Sequence, residues 1–182
     1  MLRNASLALS LALFALLGCQ STPTSAATGK TVDRAAGEVE ACIGHLDATL
    51  AALEAMVKTP APDLGPQFKA YSKSLAKLES SADEVTELAA RMDIRSKEYF
   101  EQWDGQLATV QNESIRERSA DRRAVVEASF QKVQSEYTEV HDEFQPLLAN
   151  LRDIHTALTA DLTLEGLRSI EKPANGTVKE FA

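Results

Sequence analysis

The sequence predicts an all-α fold: an elongated antiparallel three-helix bundle or coiled coil, with a projecting hairpin formed by its second and third helices. Three observations carry that prediction. Apolar residues recur at alternating steps of four and three along three separate stretches, the spacing of helices that lie against other helices. Only 8 of the 182 residues are Gly and 5% are aromatic within a 44% hydrophobic chain, which suits narrow interfaces of small and medium side chains. Between the first two stretches, Pro60, Pro62, Gly65 and Pro66 interrupt any helix.

Residues 1–18 read as an export signal. Arg3 supplies a short basic start, and the run Ala5 to Leu17 holds seven Leu or Phe. That run is too short to span a bilayer, which takes ~20 apolar residues. Leu16-Leu17-Gly18-Cys19 ends it and resembles the bacterial lipobox, in which the Cys is lipidated and becomes the new N-terminus. The resemblance implies a lipid anchor at Cys19, with each buried methylene contributing ~0.8 kcal/mol. Gln20 is not the Asp that resembles an inner-membrane retention signal, which points to the outer membrane, facing the periplasm. The alternative is an ordinary signal cut after Ser25-Ala26-Ala27, giving a soluble periplasmic protein. Residues 19–30 read as a flexible tether rich in Ser, Thr and Ala.

The first helix, about 31–58, carries Val32, Ala36, Val39, Ile43, Leu46, Leu50, Leu53 and Val57. The second, about 66–111, has its seam at Leu64, Phe68, Tyr71, Leu75, Leu78, Ala82, Val85, Ala89, Met92, Ser96, Tyr99 and Trp103, with Val110 completing the register. Continuing that register would bury Arg116, Ser119 and Arg123, so the second reversal is placed in 111–121; one helix running straight through is the alternative. The third helix, about 119–161, carries Val126, Phe130, Val133, Tyr137, Val140, Phe144, Leu147, Leu151, Ile154 and Leu158, with Pro146 inside it. Thr163 reads as a cap opening a short turn at 164–170, and 171–182, with Pro173, Asn175 and Gly176, reads as a loose tail. Folding the first helix back brings Val32 level with Met92 and leaves ~30 Å of the second helix beyond it. That outer part, with Trp103, Phe100 and Leu107, has more apolar surface than one seam needs, which suggests a partner or self-association.

Several residues carry a family resemblance. They are Trp103, the run Asn112-Glu-Ser-Ile-Arg116-Glu-Arg118-Ser119 with Arg122 and Arg123, the Phe144-Gln145-Pro146-Leu147-Leu148 step, Arg152-Asp153 and the Asp161-Leu162-Thr163 ending. Taken in that order from Val32 to Ile170, the chain resembles a bacterial family known as domain of unknown function 2959. The resemblance implies a helical fold and an envelope location, and it supplies no activity. The chain departs from the family by ending soon after Ile170, where members continue into another helix, a shortened C-terminus.

Charge and chemistry narrow the function classes. The net charge of -8 becomes -9 without residues 1–18, which argues against nucleic acid or anionic lipid as partner of the molecule as a whole. With Cys19 assigned to lipid, Cys42 has no intrachain partner, which excludes a disulfide framework and reads as a small buried hydrophobe. His45, His141 and His155 lie on different stretches without a second His or Cys at ligand spacing, and no Gly-rich phosphate loop occurs. Carboxylate pairs such as Glu98 with Glu101 and Glu139 with Glu143 read as solvated helix faces. No enzyme, cofactor, metal or small-molecule substrate is expected.

The predicted reversal is the exception. Asn112 to Arg123 has four Arg against three carboxylates, net +1 in a chain otherwise at -10. One account is interleaved helix pairs in which Glu113 and Glu117 oppose Arg118 and Arg122 and merely solubilise a turn. The other is a partner-binding tip of Trp103, Arg116, Arg118, Arg122 and Arg123 that docks on phosphates or an acidic envelope protein. The expected function is a lipid-anchored helical scaffold or protein-binding module of the cell envelope. A membrane-curvature or lipid-binding coiled coil is the alternative, and an enzyme acting on envelope polymers the third.

Overall fold

The computed structural model describes residues 23–181, with side chains over residues 29–179. The expected signal at 1–18, Cys19 and the first residues of the expected tether lie outside the described residues. Four helices account for nearly all the rest: α1 Pro23–Lys58, α2 Gly65–Leu107, α3 Glu113–Ala160 and α4 Leu164–Phe181. No strand occurs among the described residues, and none of their helices is long and apolar enough to cross a membrane.

Three expectations need correction. Residues 23–30 belong to α1 and not to a tether: Pro23 suits a first helical turn, and no Gly follows until Gly29. The second break falls at residues 108–112, overlapping the expected 111–121 only at its first two residues, and α3 starts at Glu113. The short turn at 164–170 and loose tail at 171–182 are instead one helix of 18 residues. Leu167, Ala174, Thr177 and Val178 are buried along it, so the helical spacing persists across Pro173 and Gly176. Pro173 and Ser169 are both exposed, which leaves the carbonyl that lost its helical donor open to water.

The described chain divides into two compact units. The first comprises residues 38–85 and 141–181, the second residues 23–37 and 86–140. In the first, α4 joins α1, α2 and α3 around one core, so four helices pack where three were expected. Leu46, Leu50, Leu53 and Met56 of α1 meet Tyr71, Leu75 and Leu78 of α2, Leu147, Leu151, Ile154 and Leu158 of α3, and Leu167, Ala174 and Val178 of α4. Tyr71 is fully buried, and its hydroxyl donates to the Leu151 carbonyl at 2.7 Å, fixing the register of α2 on α3. Thr49 and Thr177, also buried, donate to carbonyls one turn back in their own helices.

Side chains hold the two connections of this unit. Gln67 accepts from the Ala61 amide at 2.9 Å and donates to the Thr59 carbonyl at 3.0 Å, while Asp63 accepts from the Gly65 amide at 2.9 Å. Before α4, Thr163 Oγ1 accepts from the Gly166 amide at 3.0 Å and donates to Asp161 Oδ1 at 2.8 Å. Glycine is required at 166, because a Cβ there would stand 2.2 Å from the Asp161 carbonyl oxygen.

The second unit has a smaller core of Val32 from α1, Met92 and Phe100 from α2, and Val126, Phe130 and Val133 from α3. Tyr99 and Trp103 pack at its edge. Gln134 donates to Asp93 across α2 and α3 at 2.5 Å.

Candidate functional site

The α2–α3 reversal is built by local hydrogen bonds. After Leu107 the amides of Thr109 and Val110 bond back to the Gln106 and Leu107 carbonyls, each at 3.1 Å. Asn112 then caps α3, its Oδ1 accepting from the Ile115 amide at 3.2 Å. Arg116 pairs with Glu113 and reaches the Val110 carbonyl at 3.4 Å. A helix end, a cap and a carbonyl clamp thus fall within ten residues.

One turn further, the seam continues with polar side chains that have partners on α2. The Trp103 indole N–H donates to Ser119 Oγ at 3.0 Å. Arg123 donates through Nη2 to Asp104 Oδ2 and through Nη1 to Glu127 Oε2, both at 2.8 Å. Its buried Nε lies 2.6 Å from Asp104 Oδ1 but out of line for a hydrogen bond. The guanidinium carbon stands 5.1 Å from the Phe100 ring centroid. Burial acts to lower the Arg123 pKa, and the hydrogen bonds it donates to Asp104 and Glu127, with their negative charges, outweigh it, so the net direction is upward. Edge-to-face rings carry the packing onward, Trp103 to Tyr99 at 5.5 Å, Tyr99 to Phe100 at 5.3 Å and Phe100 to Phe130 at 5.7 Å.

This geometry divides the five residues expected at a partner-binding tip. Trp103, Arg116 and Arg123 are committed to contacts within the chain. Arg118 and Arg122 are exposed, and neither makes a side-chain hydrogen bond or ion pair among the described residues. The interleaved pairs expected for them are formed instead by Arg116 with Glu113 and by Arg123 with Glu127. Cys19, the lipidation candidate, lies outside the described residues.

Two residues that sequence reasoning passed over complete the outward face. Ile115 and Val125 are 58% and 57% exposed, large fractions for β-branched apolar side chains. Ile115, Arg118, Arg122 and Val125 follow at steps of three, four and three and therefore share one face of α3. Their spacing could have marked them, but a four-residue mixed stripe is a weak signal beside a seam of ten. Arg118 and Arg122 are like charges at i and i+4, which a helix tolerates at a cost of a few tenths of a kcal/mol. That arrangement does not solubilise a turn more cheaply than alternating signs would. It does present two guanidinium groups, flanked by apolar contacts, to an acidic surface.

Other groups are less suited to recognition. No group of three or more metal-binding side chains occurs among the described residues. His155 stacks on Phe68 with centroids 5.1 Å apart and bonds Ser72 at 3.0 Å, and His141 lies against Asp142 and Gln145. Cys42 is partly buried; desolvation pushes its thiol pKa up, a bond with Ser81 pulls it back in part, and Glu38 adds to the rise. A cavity of about 360 Å³ in the first unit is lined by Val57, Pro60, Pro62, Leu164 and Leu167, with Arg168 and Glu171 beside them. Nothing polar and buried converges on it.

A family model described as a protein of unknown function, DUF2959, matches residues 28–180. No curated protein matches the chain, and no solved structure does.

Proposed function

The chain belongs to the family of proteins of unknown function DUF2959, and from that premise we propose that it is a lipid-anchored cell-envelope protein that binds other proteins through α3. The observation that carries the binding half is the exposed Ile115-Arg118-Arg122-Val125 stripe. The residues behind it are fixed by the Trp103, Arg116 and Arg123 contacts, so the stripe stands on a preorganised support and little ordering entropy opposes binding. Glu117 and Asp121, both exposed, precede the two Arg directly. A flat anionic bilayer pressed on the stripe would meet those carboxylates too, whereas a narrow helical partner would touch the Arg alone. This favours a protein over a lipid surface.

The anchoring half rests on the sequence at Leu16-Leu17-Gly18-Cys19. In this reading Cys19 carries the acyl chains, the membrane is contacted through them, and the helical units face the periplasm from the outer membrane. The test has two arms. Metabolic labelling with an alkyne fatty acid is expected to tag the wild type and to fail in Cys19→Ala, which should also leave the membrane fraction. Co-purification of a crosslinked partner is expected to survive Glu40→Arg on α1 and to be lost in Arg118→Glu/Arg122→Glu. Labelling independent of Cys19 removes the anchor, and partner capture indifferent to the Arg reversal removes the binding face.

A further inference from the structure

We infer that the partner of the α3 stripe is a second copy of the chain, which offers a complementary stripe on the outward face of α2. This inference rests on the binding face proposed above and names its occupant.

Three residues are exposed large hydrophobics in the second unit: Ile115 and Val125 on α3, and Ile94 on α2, 57% exposed. Ile94 is followed by Glu98, Glu101 and Gly105 at steps of four, three and four, all exposed. These four share a face of α2, as the other four share a face of α3. Glu98 and Glu101, like Arg118 and Arg122, make no side-chain hydrogen bond or ion pair among the described residues. Lys97, which sits at i-4 from Glu101, is taken by Asp93 at 2.7 Å.

Each stripe by itself repeats one sign of charge at helical contact distance, which is unfavourable in an isolated helix. Set against each other they neutralise. Aligned in parallel, Ile94 falls opposite Ile115, Glu98 opposite Arg118, Glu101 opposite Arg122, and Gly105 opposite Val125; the position differences are 21, 20, 21 and 20. The match extends to size at the last pair. A Cβ placed on Gly105 would meet nothing within 4 Å, so this is a bare, open stretch of α2 where an incoming Val can approach the backbone closely.

A stripe-on-itself dimer is disfavoured by the same charges. Antiparallel pairing of two α3 stripes sets Arg118 against the other copy's Arg122, and no carboxylate of the stripe intervenes. The contact is therefore heterologous, α2 of one copy to α3 of the next. Such contacts close into a ring where the rotation between copies closes, and otherwise propagate into open chains. Lipid anchors would confine the copies to one membrane plane and raise their effective concentration.

The test uses the full chain purified in detergent and followed by sedimentation velocity and lysine-independent photo-crosslinking. Wild type is expected to form species larger than a monomer. Arg118→Glu/Arg122→Glu makes both stripes acidic, and Glu98→Arg/Glu101→Arg makes both basic. Each variant alone is expected to lose the larger species while keeping the helical circular-dichroism signal of the wild type. Mixing the two in equal amounts restores complementarity at both kinds of contact and is expected to restore the larger species. A monomeric wild type, variants that assemble unchanged, or a mixture that stays monomeric overturns the second copy as occupant. If any of these occurs while the Arg reversal still abolishes capture of another protein in cells, the binding face stands and only its occupant changes.

Discussion

Trp103 donates its indole N–H to Ser119 Oγ at 3.0 Å, and this single bond joins the end of α2 to the start of α3 just inside their reversal. Trp103 is the chain's one tryptophan, so its fluorescence reports on this contact. Ser119→Ala leaves a half-buried N–H without its partner and is expected to cost about 1 kcal/mol in urea unfolding. The native emission maximum should move to longer wavelength as the indole turns to water. An unchanged midpoint and spectrum would mean that the bond does not hold the reversal.

Arg123 tests whether the polar seam depends on fork geometry or only on charge. It donates through Nη2 to Asp104 and through Nη1 to Glu127, with Nε close to Asp104 but unbonded, and it lies over Phe100. Lysine keeps the charge and loses the fork and the stacking. Arg123→Lys is expected to destabilise by about 1–2 kcal/mol, with Arg123→Met no worse than that, since Met retains apolar contact with Phe100. Thermal unfolding of the two variants checks the order; full rescue by Lys would reduce the cluster to simple charge pairing.

The glycines separate open helix from close approach. At Gly44, mid-helix in α1, an added Cβ meets nothing within 4 Å, and at Gly166 it would stand 2.2 Å from the Asp161 carbonyl oxygen. Gly44→Ala is expected to stabilise by about 0.5–1 kcal/mol through helix propensity alone. Gly166→Ala is expected to destabilise, because backbone must move, and to do so by detaching α4. Hydrogen exchange localised to residues 164–181 measures that second effect.

Alkaline pH should act on the first unit through Tyr71. Burial pushes its phenol well above the ordinary value of about 10, and the negative charge of Glu79 adds to the rise. The folded state thus holds the proton more tightly than the unfolded state. Tyr71 contributes its full stability below about pH 10, and the contribution is lost as pH rises through and beyond that value because only the unfolded chain ionises. Wild type should therefore lose stability above pH 10 more steeply than Tyr71→Phe. Phe should also cost about 1 kcal/mol at neutral pH, through the lost bond to the Leu151 carbonyl. Parallel slopes for the two proteins would contradict the assignment.

The long helices were legible because their seams are long: Leu46, Leu50 and Leu53, Tyr71, Leu75 and Leu78, and Leu147, Leu151, Ile154 and Leu158 are all buried as the spacing requires. One stretch differs from its sequence reading in kind, and the reversal differs in position only. Pro173, Asn175 and Gly176 are ordinary punctuation for a tail, yet Leu167, Ala174 and Val178 find a core that covers them, and tertiary burial overrides local propensity. At the reversal, Arg116, Ser119 and Arg123 occupy seam positions of α3, and their polarity conceals in the sequence that α3 starts as early as Glu113. Their partners, the Val110 carbonyl, Trp103 and Asp104, lie on the chain before the turn, and only the pairing of α2 with α3 reveals that a polar seam is satisfied. The outward stripe was hidden within the same run, because alternation of Arg and Glu along the sequence conceals how the two signs separate around the helix.

The central claim is that Arg118 and Arg122 serve recognition and not folding, and one measurement addresses it most directly. A photo-crosslinking residue is placed at Ile115, the first position of the stripe, in otherwise wild-type chain and in Arg118→Ser/Arg122→Ser, within intact cells. Unfolding of the Ser variant is expected to stay within about 0.5 kcal/mol of wild type, since the substituted side chains are exposed and unpaired. The account predicts a discrete crosslinked product in the first chain and its loss in the second. The same product at the same yield from both chains would contradict it.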